Sequence, residues 1–594
     1  MSKFSRGWLS ALLCVSSLAA GLSPLPARAQ SAAATTSQAL ASLFDEIWQD
    51  NLRHSPEFAS TIGDKRFNDQ LSDYSAAEVQ ASLARGAAFL QRLRAIDTTH
   101  LSDQEKLSAA LMLRSLSQDQ EGARFKEWQT PDNQFGGFHA DLPELQDSLQ
   151  FDSIHDFDDY LARLHKMPLV VTQNIANMRA GIAEKRVEPA FLMAKVLTQV
   201  QSLANQKPED SPFAAPLKKF PKSISPAEQQ RLSTAILAAI RSEVLPAYTR
   251  YGAFLTADYI PHGRTDPGLW ALPDGDAFYA FKVRQSTTLT KSPAEIHDIG
   301  LAEVARDQTE MLALAHRLGF ADLKTLNAAV KANPKLHPTS RENMLEVYRG
   351  YIAQMQPELP KLFGTLPKAP VVVLPVAAFQ EAAMAPAFYR AGTPDGKRPG
   401  AVYVNTYEFA SRSLTVAETT AYHEGIPGHH LQVSIAQELT GLPEFRKFND
   451  FTAYSEGWAL YSERLGKEIG FYKDPYSDYG RLEADIWRAI RLVVDTGVHS
   501  QHWTRQQMVD YFHQYSPMDE ASVQAEVDRY IAMPAQALGY KMGQLKILEL
   551  REKARTALGP KFDIRGFHDT VIDSGALPLD LLEQRVDAWI ASRK

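Results

Sequence analysis

The chain has 594 residues, 44% hydrophobic and 22% charged, a profile typical of a folded soluble protein with apolar mass for about three or four domain-sized units. A net charge of -7 offers no basic field to a polyanion, so nucleic acid is not an expected partner. No G-x-x-x-x-G-K-[ST] phosphate loop and no internal repeat is present.

Lys3 and Arg6 precede an apolar run, Gly7 to Leu22, which ends in Pro24, Pro26 and the small-residue site Ala27-Arg28-Ala29. This pattern predicts a secretory signal over residues 1–29, cleaved after Ala29. The run is too short and too interrupted by serines for a membrane anchor, so no stable membrane insertion is expected after cleavage. The single cysteine, Cys14, lies inside it, and Leu13 lacks the small side chain expected at a lipoprotein cleavage site. A mature chain without cysteine excludes disulfides, thiolate metal sites and cysteine nucleophiles. An exported protein of the bacterial periplasm is expected. Residues 30–38, rich in Ala, Ser, Thr and Gln, read as a flexible lead-in.

Helical periodicity then dominates, and the fold class expected is mainly α. Leu40-Phe44-Ile47-Trp48-Leu52 and Leu83-Ala87-Leu90-Leu93 each mark one apolar helix face, and Phe157 to Ile182 and Glu228 to Phe254 repeat the pattern. A helical part over 39–290 is followed by a part over 291–594 that carries the chemistry, as one continuous fold. Ser292-Pro293-Ala294-Glu295 is a capping box with proline at the first helical position, predicting a helix to about Leu318. Val371–Leu374 and Ala401–Val404 are short β-rich runs, with the turn sequence Gly392-Thr393-Pro394-Asp395-Gly396 between them. They predict a small sheet with one hairpin-like connection. Thr415-Val416-Ala417-Glu418 has the letters of a second capping box and predicts the start of a helix bearing His423 and Glu424.

That helix opens the segment AYHEGIPGHHLQVS, Ala421 to Ser434. In H-E-x-x-H, histidines four apart share a helix face and bind one Zn²⁺ beside a glutamate. Here Pro427 occupies the second histidine's place, and Pro427-Gly428 must disturb the helix. His429, six residues after His423, needs a bulge to return it to a shared ion. His430 needs less angular distortion but lies nearly two turns away. Spacing alone leaves both open. The third ligand is best supplied by FTAYSEGWALYSERLG, Phe451 to Gly466, where Glu456 and Glu463 recur seven apart.

The segments GKRPGAVYVNT, HEGIPGHHLQ, EGWALYSE, DTGVH and RYIAMPAQALGYKMGQL resemble, in order, the motifs of the bacterial family known as domain of unknown function 885. The resemblance covers most of the mature chain. It implies a zincin-like, multi-helical, channelled fold similar to the angiotensin-converting enzyme and M3/M32 peptidase group. It implies one Zn²⁺ per chain, held by His423, His429 and Glu456, with Glu424 as general base and His430 as a neighbour. Glu463 remains a neighbour or alternative ligand. Ala535 departs from the glycine common in that family's P-G-Q-A and makes the backbone less permissive.

A metallopeptidase also needs an oxyanion donor. Tyr540, Tyr530 and His499 are the candidates, Tyr540 preferred for its flanking Gly539 and Gly543. Asp495, four residues before His499, is placed to fix its tautomer. Arg529, beside Tyr530, joins the candidate substrate contacts. The strand Ala401–Asn405, with Tyr403, Val404 and Asn405, is expected to line the cleft and pair with an extended peptide. Arg398 is a candidate for a substrate carboxylate. The function expected is a secreted zinc peptidase acting on short peptides. The rivals are another metal-dependent hydrolase, an amidase or esterase, and an inactive peptide-binding protein. Oligomeric state is not legible.

Overall fold

The computed structural model describes residues 27–376, 381, 385–393 and 398–594. Residues 1–26 of the expected signal, and most of the expected Gly392–Gly396 turn, lie outside the described residues. The molecule is mainly α with a small three-stranded sheet. The first helix runs Ala27–His54, so residues 30–38 are helical where a flexible lead-in was expected. The reason is local: alanine-rich sequence without Gly or Pro from Gln30 to His54 favours the helix.

The periodic segments fold as helices Ala27–His54, Ala76–Arg94 and Ile154–Glu184. The expected 228–254 helix is interrupted once. Pro226–Ala239 and Leu245–Phe254 are joined by a π-helical turn, Ile240–Val244, just before Pro246, whose missing N–H the wider turn accommodates. At Ser292 the capping box forms, and its helix runs Pro293–Arg317. Leu40 to Leu116 and Met344 to Ile590 contribute to one hydrophobic core, so the first helices pack directly against the C-terminal half.

The sheet differs from the expectation in topology. β1 (Val371–Pro375) and β3 (Gly400–Val404) are the two strands read from sequence, but they pair in parallel. β2 (Ala387–Arg390) pairs antiparallel with β3, giving the order β1-β3-β2. A parallel pair cannot be joined by a hairpin, and the chain between β1 and β3 supplies the missing partner instead.

Two close helix crossings position the site. Along Thr452–Glu468 and Leu538–Leu558, a Cβ added to Gly543 would lie 1.8 Å from the Ala453 carbonyl oxygen, and one on Gly457 would lie 2.4 Å from Gly543 Cα. Only glycines let these backbones approach so closely. Pro293–Arg317 and Pro475–Ser500 meet similarly at Gly300, whose added Cβ would stand 2.7 Å from Leu492 Cβ.

Candidate metal centre

The first site helix, Ala417–Glu424, does not use the expected cap. Thr415 Oγ1 donates to Glu483 (3.1 Å), while buried Glu418 accepts from the Tyr472 N–H (3.0 Å), the Tyr422 hydroxyl (3.0 Å) and Ser477. Tertiary partners have taken both capping side chains. The helix ends at Glu424, and the next begins at His429. Between them the chain folds back over the helix end: the Gly428 N–H donates to the Tyr422 carbonyl (2.9 Å). A Cβ at Gly428 would sit 2.0 Å from the His423 oxygen, so this return requires glycine. Trp458 Nε1 holds the loop by donating to the Pro427 carbonyl (3.0 Å).

The return brings His429 back to His423, their ring centroids 4.9 Å apart and nearly perpendicular. Glu456 projects from Thr452–Glu468 between them. Its Oε2 lies 3.4 Å from His423 Nε2 and 3.4 Å from His429 Nε2, and donor atoms of all three residues fall within 4.8 Å of one another. That oxygen is buried yet accepts no hydrogen bond. A tetrahedral ion at about 2.0–2.1 Å from each ligand sets neighbouring donors roughly 3.3–3.4 Å apart. The donor set and its spacing fit Zn²⁺. Burial opposes ionisation of Glu456, but the facing imidazoles of His429 and His423 hold its carboxyl well below the usual range.

Glu463 lies outside this set. Its Oε1 faces His423 Nδ1 (2.8 Å), and its Oε2 accepts from Thr419 Oγ1 (2.6 Å). A proton on Nδ1 leaves the Nε2 lone pair toward Glu456, the arrangement found around metal-ligating histidines. His430 turns away: Nε2 meets the Ala369 carbonyl (3.0 Å) and Nδ1 the Tyr389 hydroxyl (3.1 Å). It is a buried structural residue and not an alternative ligand. Glu424 is half-buried next to His423; burial pushes its carboxyl up, while His423 and His429 pull it back.

The oxyanion candidates separate clearly. Tyr540 is close enough to Glu456 that, after burial, this carboxylate is the largest influence raising its hydroxyl. The Arg491 guanidinium carbon sits 4.4 Å from its ring centre, and Arg529 Nη2 reaches its hydroxyl at 3.4 Å. Arg529 also donates to Gln536 (2.8 Å), so it braces Tyr540. Tyr530 is fully buried, accepting from Arg491 Nε (3.0 Å) and donating to Glu526. His499 is committed elsewhere: Nδ1 accepts from the Leu269 N–H (3.0 Å) and Nε2 donates to the Tyr530 carbonyl (2.9 Å). Burial depresses it to about 3, keeping it neutral. Asp495 does not set its tautomer. It accepts from Tyr279 (2.6 Å) and from the Ala535 N–H (3.1 Å), and burial pushes its carboxyl up to about 7. Ala535 adopts φ +66°, the left-handed conformation in which glycine would be unstrained.

The expected substrate strand is not free either. β3 is central, hydrogen-bonded on both sides, so only β1 and β2 present edges. Val404 is buried, Tyr403 stacks on Phe388 (5.1 Å), and Asn405 donates to the Glu381 carbonyl (2.7 Å). Arg398 is exposed, its backbone paired with Thr393 (3.0 Å). Sequence reasoning missed Arg488, which lies 3.7 Å from Glu463 and pulls the Glu424 carboxyl down. Nothing in the sequence singled it out, since Leu482–Val498 also carries Glu483, Asp485, Arg491 and Asp495.

Among curated proteins, none matches this sequence. The crystal structure of a protein described as a putative lipoprotein from Colwellia psychrerythraea superposes at a TM-score of 0.88 with 28% identity, covering 94% of this chain and 100% of that one. A second, described as a putative lipoprotein of unknown function from Shewanella oneidensis, gives 0.73 and 19% identity over 92% and 99%. It shares the fold. A family model described as "Bacterial protein of unknown function (DUF885)" matches residues 56–586, and the chain belongs to that family.

Proposed function

We propose that the protein is a zinc-dependent peptidase acting on short peptides outside the cytoplasm. One observation carries this reading: a buried, hydrogen-bond-free carboxylate oxygen stands 3.4 Å from two imidazole nitrogens, with a second carboxylate, Glu424, beside them. When bound to His423, His429 and Glu456, Zn²⁺ supplies Lewis acidity toward a carbonyl and acidifies water. Glu424 takes the proton of the attacking water and delivers it to the leaving amine. Tyr540 donates its hydroxyl to the developing oxyanion, held by Arg529 and Arg491. Glu463 keeps His423 oriented through Nδ1. An extended substrate aligns on an open sheet edge, which β1 and β2 present and β3 does not. The location rests on the N-terminal signal pattern, on the lipoprotein descriptions of the related structures, and on the absence, among the described residues, of a helix long and apolar enough to cross a membrane.

Peptide-library turnover with metal analysis tests the reading. The wild type should hold one zinc per chain and lose activity to a chelator. Glu424→Gln should keep the metal and lower kcat at least about 100-fold. Unchanged turnover in that variant would remove Glu424 from the mechanism.

A further inference from the structure

A cavity of about 570 Å³ opens between the N-terminal half and the segments that lead into the Glu456 and Tyr540 helices. Its inner wall is formed by Asn449–Thr452, which lead into the Glu456 helix, and by Ala532–Gln536, which lead into the Tyr540 helix. Its outer wall comes from the N-terminal half, including Asp103–Gly122 and Gly275–Thr287. This volume suits a small ligand or a few peptide residues.

The charges on its walls do not balance. All three basic residues are paired: Arg114 with Asp580, Lys282 with Glu127 (3.0 Å) and Arg264 with Glu188 (3.7 Å). Two carboxylates, Asp119 and Asp450, enter no ion pair among the described residues. Asp450 lies in the segment that leads directly into the Glu456 helix. It is open to the cavity, and its charged neighbours are Glu456 and His429. A carboxylate in a walled cavity without a counter-cation focuses negative potential on whatever enters.

We propose that Asp450 is a specificity-determining residue that accepts the cationic group of a peptide, an α-ammonium or a lysine or arginine side chain, as the adjoining backbone reaches the His423–His429–Glu456 centre. The proposal rests on the peptidase reading for the nature of its ligand. Its test is a binding measurement, separate from turnover. Full-length protein carrying Glu424→Gln is titrated by calorimetry with tetra-alanine, its N-acetylated form, and an N-acetylated form with one alanine replaced by lysine. A cationic probe should bind about tenfold or more tighter than the neutral one. The probe that does so identifies the source of the cation. Asp450→Asn in the same background should bring the ratio of Kd values close to one, and Asp450→Glu should restore a preference. Equal affinities for charged and neutral probes, a preference surviving Asp450→Asn, or no binding of either cationic probe at millimolar concentration would each overturn the proposal. An Asp450-dependent preference in a wild-type protein that hydrolyses none of these peptides would overturn the peptidase reading and leave the cation subsite standing.

Discussion

Burying Glu456 Oε2 without a hydrogen bond costs free energy unless a cation takes the place of water, and two imidazoles already stand at the separation that an ion would impose. Neighbouring histidines of one motif therefore have opposite fates. His429 offers Nε2 to the cluster, whereas both nitrogens of His430 are engaged with Ala369 and Tyr389. His429→Ala should abolish stoichiometric zinc in purified protein. His430→Ala should keep the metal while costing about 1–3 kcal/mol of stability, because buried partners lose their hydrogen bonds. Metal analysis together with denaturant melts reads both. Metal retained in His429→Ala would reassign the ligand.

At the scale of elements, the position of Tyr540 beside Glu456 depends on two helices meeting glycine to glycine. Gly543→Ala should destabilise the protein by about 1–3 kcal/mol and lower kcat by pushing Tyr540 from the centre, seen as a reduced melting temperature and reduced turnover. The helices themselves were legible because apolar side chains recur at helical spacing, and the Ser292 cap was legible because its partners lie within its own turn. The Thr415 cap carries the same letters and fails, since Glu418 serves Tyr472, Ser477 and Tyr422 from distant segments. β2 was missed because four residues carry too little periodicity, and without it the pairing of β3 was misread. The choice between His429 and His430 turned on a fold-back at Gly428, whose hydrogen bond to Tyr422 no ideal-helix angle could supply. Glu463, which the sequence offered only as a neighbour or alternative ligand, faces His423 Nδ1 at 2.8 Å, a contact that spacing along one helix could not give.

Across the whole molecule, the apolar core that joins the first helices to the C-terminal half also encloses histidines that must stay neutral. His568 is fully buried, bonded to Tyr461 (2.8 Å) and the Leu362 carbonyl (2.8 Å), and burial depresses it to about 3. An unfolded histidine protonates near pH 6.5, so between about pH 6.5 and 3 the unfolded state binds a proton that the folded state refuses. This group's contribution to stability is present above that window and is lost as pH falls through it. The stability difference between wild type and His568→Gln should shrink by up to about 1.4 kcal/mol per pH unit below 6.5, measured by denaturant unfolding at several pH values. A pH-independent difference would mean that His568 binds its proton equally in the folded and unfolded states, which contradicts a depressed folded value.

The central claim is that one cation joins three helices through His423, His429 and Glu456, and an anomalous-difference map at the zinc absorption edge tests it most directly. The account predicts a single strong peak about 2.0–2.2 Å from both Nε2 atoms and the Glu456 carboxylate. A map from zinc-supplemented crystals with no peak there, or with its peak at His430, would contradict it.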